Sequence, residues 1–292
     1  MRTTSGVLTE DVVIPVGDGV VGATISAPAA ARAVLVIHPA TGVPTKIYRA
    51  FREEAARRGY ATLTYGYRGT GGASGSAKDH ATVRMRDWMD EDVPAVTDWA
   101  KERWPGLPMV ALGHSVGGHA LALDRGSAGL RGFITIASHA GVTSQVPGLA
   151  ERAKLWLIFN GPGPLAARVL GYFPTKALRM GEDAPRDMWL DWARWTRKRH
   201  YFFDDPSMEA AARAARVSGP VLAVGFTDDP WATPQQIDAI TDRLVNAEVE
   251  RRTYAPEEFG ARAIGHLDFL RPELAETLWP VLFAWLDDRV RS

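Results

Sequence analysis

The sequence predicts an α/β protein: a mostly parallel central sheet with helices on both faces, interrupted by one helical insertion. Three observations carry this. Short apolar runs of β-forming residues recur at 33–37, 60–65, 109–112, 132–137 and 221–226. They are apolar at consecutive rather than alternate residues, the pattern of strands buried on both faces as in a parallel sheet. Helix-periodic stretches separate them, and such alternation folds into a sheet covered by helices. Between 142 and 217 the strand signals vanish and aromatic-rich helical stretches take over, before alternation resumes. The chain therefore divides into residues 1–141, the first part of an α/β core, 142–217, an inserted helical cap, and 218–292, the second part of the core. With 292 residues, 46% of them hydrophobic, it can bury a large core without a metal or disulfide.

Taken in order, 11–16 and 20–27 read as a hairpin about Gly17-Asp18-Gly19, a D-G turn between β-rich runs. The strand at 33–37 ends in His38-Pro39-Ala40-Thr41-Gly42, a loop able to offer backbone N–H groups to an anion. Residues 46–58 form an amphipathic helix closed by Gly59. The strand at 60–65 leads into the glycine-rich stretch 66–75. Its glycines miss the G-x-G-x-x-G spacing and open no helix, so a dinucleotide site is not expected. Residues 86–103 form a helix that Pro94 can kink. Its acids, Asp87, Asp90, Glu91 and Asp92, are expected as a solvated first turn rather than a metal site, because acids favour helix N-termini.

The run 109–112 ends at Gly113-His114-Ser115-Val116-Gly117, and 118–123 suits a helix. Strand, tight turn and helix put a serine at the apex in a strained conformation, and the flanking glycines remove side chains that would collide there. The hydroxyl then points outward at the positive end of a helix. The strand at 132–137 ends at Ser138-His139-Ala140-Gly141. Within 142–217, Trp189, Trp192 and Trp195 are three apart and share a helix face. They form either a small local core or an apolar wall over a pocket. The strand at 221–226 runs into Thr227-Asp228-Asp229-Pro230-Trp231. A helix at 234–245 has proline in its first turn, and 247–254 is the last strand. A loop carrying Gly265-His266-Leu267-Asp268-Phe269 precedes a terminal amphipathic helix at 272–289.

Composition narrows the function. The absence of cysteine excludes a thiolate nucleophile, a disulfide framework and a cysteine-bound metal, and fits a cytoplasmic location. Thirty-four basic residues balance 34 acidic ones, which argues against a nucleic-acid partner. No signal peptide is expected in the N-terminal stretch, and no uncharged apolar run reaches the ~18 residues of a membrane-spanning helix. No H-E-x-x-H or similar ligand set is present, so neither a metal nor another cofactor is expected.

Ser115, Asp228, Asp229 and His266 all fall in loops that follow strands, where α/β sheets gather their catalytic groups. Their order, Ser then Asp then His, is that of the α/β-hydrolases. The chain resembles that superfamily over nearly its whole length, in the GHSVGG elbow, the HPA loop, YRGTGGASG, TDDPWATP and IGHLDF. It looks like the branch holding monoacylglycerol-lipase-like and serine-aminopeptidase-like enzymes, and is similar to a bacterial group of predicted α/β-hydrolases. One departure is His38-Pro39, where His-Gly is usual.

The resemblance implies an α/β-hydrolase fold and a serine hydrolase. Ser115 would be the nucleophile and His266 its base, with an aspartate to orient the imidazole. The backbone N–H groups of Val116 and Ala40 would bind the oxyanion, at roughly 3 kcal/mol for one such donor. Spacing from Gly225 favours Asp228 and alignment of W-A-T-P favours Asp229; Asp229 is preferred, and Asp268 is a third option. His38, His139, Trp189, Trp192 and Trp231 are candidates for the substrate pocket, while His80, His114, His119 and His200 are read as structural. The expected substrate is a small-molecule ester or thioester with an apolar acyl group. An amide with a free amine is the alternative, its amine held by Glu182, Asp183, Asp187 or Asp191. A catalytically silent binding module is the alternative of another class.

Overall fold

The computed structural model describes residues 2–4 and 6–291. Its strands are β1 (Arg2–Thr4), β2 (Val7–Val16), β3 (Gly19–Pro28), β4 (Ala33–His38), β5 (Tyr60–Tyr65), β6 (Met109–His114), β7 (Phe133–Ile136), β8 (Tyr172–Phe173), β9 (Ala184–Pro185), β10 (Ser218–Phe226) and β11 (Asn246–Tyr254). Nine of them form one sheet in the order β1-β2-β3-β5-β4-β6-β7-β10-β11. From β5 to β11 this sheet is parallel; β1, β2 and β3 extend one edge antiparallel. The hairpin turn is Gly17-Asp18 rather than the expected D-G step. Val16 pairs with Gly19, and Gly17 takes the positive φ, +57°, that a type II′ turn requires at its first central residue.

The continuous apolar runs are explained by two cores, one on each face of the sheet. In β4, Val34 and Val36 face one core while Ala33, Leu35 and Ile37 face the other. In β6, Met109 and Ala111 oppose Val110 and Leu112 in the same way, so period-two alternation divides side chains between two dry layers. The helices Arg49–Arg57 and Leu278–Arg291 cover one face through Phe51, Trp279 and Phe283. Trp88, Val93, Val96 and Leu121 lie on the other.

The helical run after residue 85 contains a π-turn, Trp88–Asp92, just before the helix Val93–Arg103. The wider turn accommodates Pro94, which lacks the N–H and would crowd the preceding carbonyls of a regular helix. Asp87 takes the first-turn place expected of an acid, accepting from Arg84 N–H at 2.8 Å, and Glu91 is exposed, but Asp92, contrary to expectation, is not part of a solvated turn. Asp92 is fully buried and takes hydrogen bonds from Arg68 N at 2.9 Å and Arg68 Nε at 2.7 Å. Glu91 pairs with Arg68, and Asp90 with Arg125 and Arg213. An acidic cluster met by arginines from distant segments is a packing device that sequence periodicity does not reveal.

The helices Leu149–Phe159, Pro162–Leu170 and Arg186–Trp195 lie between β7 and β10 in sequence. One short ladder, β8 with β9, interrupts the otherwise helical segment. No helix among the described residues is long and apolar enough to cross a membrane.

Strand order places the functional loops. β4 lies between β5 and β6, so the chain leaves β4 towards one side and returns on the other. Loops that follow two such strands diverge and leave a crevice at their carboxyl ends. Here those loops begin at Pro39 and Ser115, and His38 pairs with Gly113 directly beneath the crevice.

Candidate active site

Ser115 joins β6 to the helix Val116–Ala122 with φ 51° and ψ −112°, a conformation rare for a residue with a side chain. Glycine makes the turn possible. A Cβ on Gly113 would stand 2.5 Å from Gly118 Cα, and one on Gly117 would stand 2.3 Å from the His38 carbonyl oxygen. Two hydrogen bonds hold the strained peptide: Ser115 N–H donates to Ile136 O at 2.9 Å, and Ser138 Oγ donates to Ser115 O at 2.9 Å.

On the far side of the crevice, His266 Nδ1–H donates to Asp229 Oδ2 at 2.7 Å. Asp229 Oδ1 accepts from the backbone N–H of Trp231 at 2.9 Å and of Ala232 at 3.2 Å. Burial pushes the Asp229 carboxyl up, but the hydrogen bonds it accepts from His266 and from the backbone N–H of Trp231 outweigh it and hold the group down at about 2. Asp228 does not meet the imidazole, a correction to its candidacy as the orienting acid. It accepts instead from the backbone N–H groups of Ile264, 2.8 Å, and Gly265, 3.0 Å, and so clamps the loop that carries His266. The adjacent carboxylates divide the work because consecutive side chains after a strand point in different directions. Asp268 pairs with Arg271 at 2.9 Å.

Ser115 and His266 line the same cavity. Neither the Ser115 hydroxyl nor His266 Nε2 has a hydrogen-bond partner among the described residues, so both are free towards that space.

The elbow residue His114 ties the two sides together. Its Nε2 lies 2.9 Å from the His266 carbonyl oxygen, and its Nδ1 lies 2.8 Å from the Tyr48 hydroxyl. A carbonyl only accepts, so Nε2 carries the proton. Burial lowers this imidazole well below its ordinary value and keeps it neutral, so Nδ1 accepts from Tyr48. The Tyr48 oxygen in turn accepts from Ala40 N–H at 2.8 Å. This last bond corrects the expectation that Ala40 offers an oxyanion donor: its N–H is spent on a buried phenol. The N–H groups of Val116 and Thr41 have no acceptor among the described residues, and Thr41 lines the cavity. His38 is corrected too. It is fully buried beneath its loop with Nδ1 3.0 Å from the Tyr65 hydroxyl, and does not line the cavity.

The cavity measures about 710 Å³. His139, Trp189, Trp192 and Trp231 line it, together with Phe159. Within the tryptophan row, Trp189 and Trp192 line the cavity and Trp195 does not. Trp189 is wedged between Phe173 and Phe159 in stacked contacts of 3.7 and 4.9 Å between ring centroids. Trp195 packs on Tyr201 and Phe202, and its indole donates to Asp205 at 2.9 Å. Sequence reading missed the tie between Trp231 Nε1 and Glu151 Oε1, 2.9 Å, which joins the Asp229 loop to the helix Leu149–Phe159. Nothing local in the sequence signals it. Among the described residues no group of three or more His, Cys, Asp or Glu is arranged to hold a metal ion.

Comparisons with known proteins agree with this architecture. No curated protein matches the chain in sequence. Among solved structures, a soluble variant of monoglyceride lipase from Saccharomyces cerevisiae, in complex with a substrate analog, is similar with a TM-score of 0.69 at 17% identity, over 99% of this chain and 98% of that one. A carboxyl esterase from Bacillus coagulans gives 0.58 at 17% identity, over 97% and 99%. Acylaminoacyl peptidase from Pyrococcus horikoshii gives 0.61 at 13% identity, over 97% of this chain and 41% of that one. At such identities these likenesses speak for the fold. The model of the family described as serine aminopeptidase, S33, matches residues 29–256. Most of the chain is thus accounted for by one family model, and the protein belongs to that family of α/β-hydrolases.

Proposed function

We propose that this protein is a serine hydrolase that cleaves a carboxylic ester or thioester with an apolar acyl group. The observation that carries the reading is a strained serine and an aspartate-held histidine opening onto one cavity. Similarity to a monoglyceride lipase and a carboxyl esterase supports ester chemistry.

In the proposed reaction the Ser115 hydroxyl attacks the acyl carbon and gives its proton to His266 Nε2. The Ser115–His266 hydrogen bond forms as substrate enters, since such bonds often tighten only in the enzyme–substrate complex. The oxyanion is received by the N–H of Val116 and, in place of Ala40, that of Thr41. Collapse breaks the bond to the alcohol or thiol, which leaves with the proton from His266. Water, deprotonated by His266, then hydrolyses the acyl-enzyme. Asp229 fixes the imidazole tautomer and stabilises its charged form throughout. Residues 142–217 act as a cap whose Phe159, Trp189 and Trp192 bind the acyl group.

The acids weighed for an amide substrate with a free amine favour the ester. Glu182 lines the cavity but is paired with Lys176 at 2.6 Å. Asp187 is paired with Arg186, and Asp191 with Arg86 and Arg194. Asp183 accepts from Lys176 N–H, and neither it nor Asp187 or Asp191 lines the cavity.

A fluorophosphonate should label Ser115, and Ser115→Ala should lose both labelling and hydrolysis of p-nitrophenyl esters. Full activity in that variant would sink the proposal. Faster cleavage of aminoacyl anilides than of esters would favour the amide reading.

A further inference from the structure

Charge is distributed unevenly around the cavity. The whole chain carries 34 basic and 34 acidic residues. The cavity lining carries five cations, Lys46, Arg49, Lys154, Arg179 and Arg271, against two acids, Glu182 and Asp268. Both acids are already neutralised, Glu182 by Lys176 and Asp268 by Arg271. Lys154 is matched by Glu151 at 3.2 Å. Lys46, Arg49 and Arg179 remain, and none has an acid within ion-pair distance among the described residues.

These three share one region of the wall. Lys46 and Arg49 follow the loop 39–44 at the start of the helical stretch. The segment holding Arg179 is pinned to that loop, because Glu182 N–H donates to Gly42 O at 2.7 Å and Gly181 packs on the same carbonyl. The aromatic part of the lining is contributed by other segments, Phe159, Trp189 and Trp192. Unpaired cations at the rim of a cleft with apolar walls raise the local concentration of anions and speed their capture. They also oppose a free amine.

We infer that the substrate is an amphiphile: an ester whose acyl part is apolar and whose alcohol part bears an anionic carboxylate or phosphate, held at Lys46, Arg49 and Arg179. This specificity rests on the hydrolase reading above and adds to it. Arginine presents a planar fork that matches either oxyanion, so the shared chemistry is an oxyanion on the alcohol part of the ester.

The test uses matched pairs sharing the butanoyl group. Butanoyl glycerol is compared with butanoyl glycerol 3-phosphate, and ethyl butanoate with the butanoyl ester of glycolate. The anionic member of at least one pair should have a kcat/KM at least about tenfold higher at low salt, the lower end of electrostatic steering effects; the pair that shows it separates phosphate from carboxylate. Raising ionic strength from about 0.01 to about 0.1 M, which shortens the screening length from about 30 to about 10 Å, should shrink that preference. In the exposed triple variant K46E/R49E/R179E the anionic-to-neutral ratio should fall to unity or below. Equal kcat/KM within both pairs, or a ratio unmoved by the triple variant, would overturn the inference. Calorimetry on Ser115→Ala protein gives a readout independent of turnover: tighter binding of the anionic members supports the inference, and equal binding refutes it. Failure of the hydrolase reading is seen separately, as no fluorophosphonate labelling of Ser115 and no cleavage of the neutral esters.

Discussion

Adjacent residues in this molecule do different work. Asp229 reaches the imidazole while Asp228 reaches the backbone beneath it. Asp229→Asn should lower kcat by roughly four orders of magnitude, the effect of losing the correct tautomer in a serine triad. Asp228→Asn should retain far more activity and show its effect as a lower unfolding midpoint, measured by urea titration. Equal kcat losses in the two would contradict the division. The Asp229 carboxyl, held at about 2, also adds stability at neutral pH. Its folded value is depressed, so that contribution is present above about pH 4 and is lost as pH falls towards 2. Tyr48→Phe removes the acceptor for Ala40 N–H and the donor to His114 Nδ1 together. Each buried group left unpaired costs about 1–3 kcal/mol, so this variant should lose several-fold more stability than a surface Tyr→Phe change. The elbow was legible from residue types, because only glycine fits where Gly113 and Gly117 stand. The Tyr48–His114 chain was not, because its members are 66 residues apart.

At the level of elements, the loops after the strands carry Ser115, Asp229 and His266, and the helical segment supplies Phe159, Trp189 and Trp192 to the cavity they open on. The inner strands β4, β5, β6 and β7 match their apolar runs to within two residues, because a strand buried on both faces leaves an uninterrupted apolar run. β10 begins three residues before its run, over the more exposed Ser218, Gly219 and Pro220, and β2 begins four residues before its own. The helical segment was legible as helical, yet its contacts were not. Its helix Leu149–Phe159 is tied to the Asp229 loop by the indole of Trp231, and Arg86 bridges the core helix to Asp191 and Asp205 of the segment. Long-range pairs of this kind leave no local periodicity to read. Trp231→Phe keeps a ring beside His266 but breaks the bond to Glu151. The wall opposite Ser115 and His266 then loosens, and under the proposed function KM should rise more for octanoate than for acetate p-nitrophenyl esters. A uniform change across chain lengths would indicate that Trp231 acts on the triad loop alone.

At the level of the whole molecule, four buried histidines make the fold sensitive to acid. Burial pushes His38 and His139 down to about 3 and His119 to about 4, and lowers His114 well below its ordinary value. A base with a depressed folded value contributes stability above its unfolded value, near 6.5, and loses it as pH falls. Each such group costs about 1.4 kcal/mol per pH unit below that point. Urea midpoints measured at pH 7.5 and 5.5 should therefore differ steeply, and replacing His139 by Gln should flatten the dependence; a pH-independent midpoint would contradict the burial of these groups as neutral rings. Sequence alone determined the α/β alternation, the elbow and the order of Ser, Asp and His, because hydrophobic periodicity and glycine sterics are local and act wherever the chain goes. Tertiary structure decided which aspartate meets His266, that Ala40 N–H is spent on Tyr48, and which cations face the cavity unpaired. Those outcomes depend on the direction in which side chains from distant segments point once the sheet has brought them together.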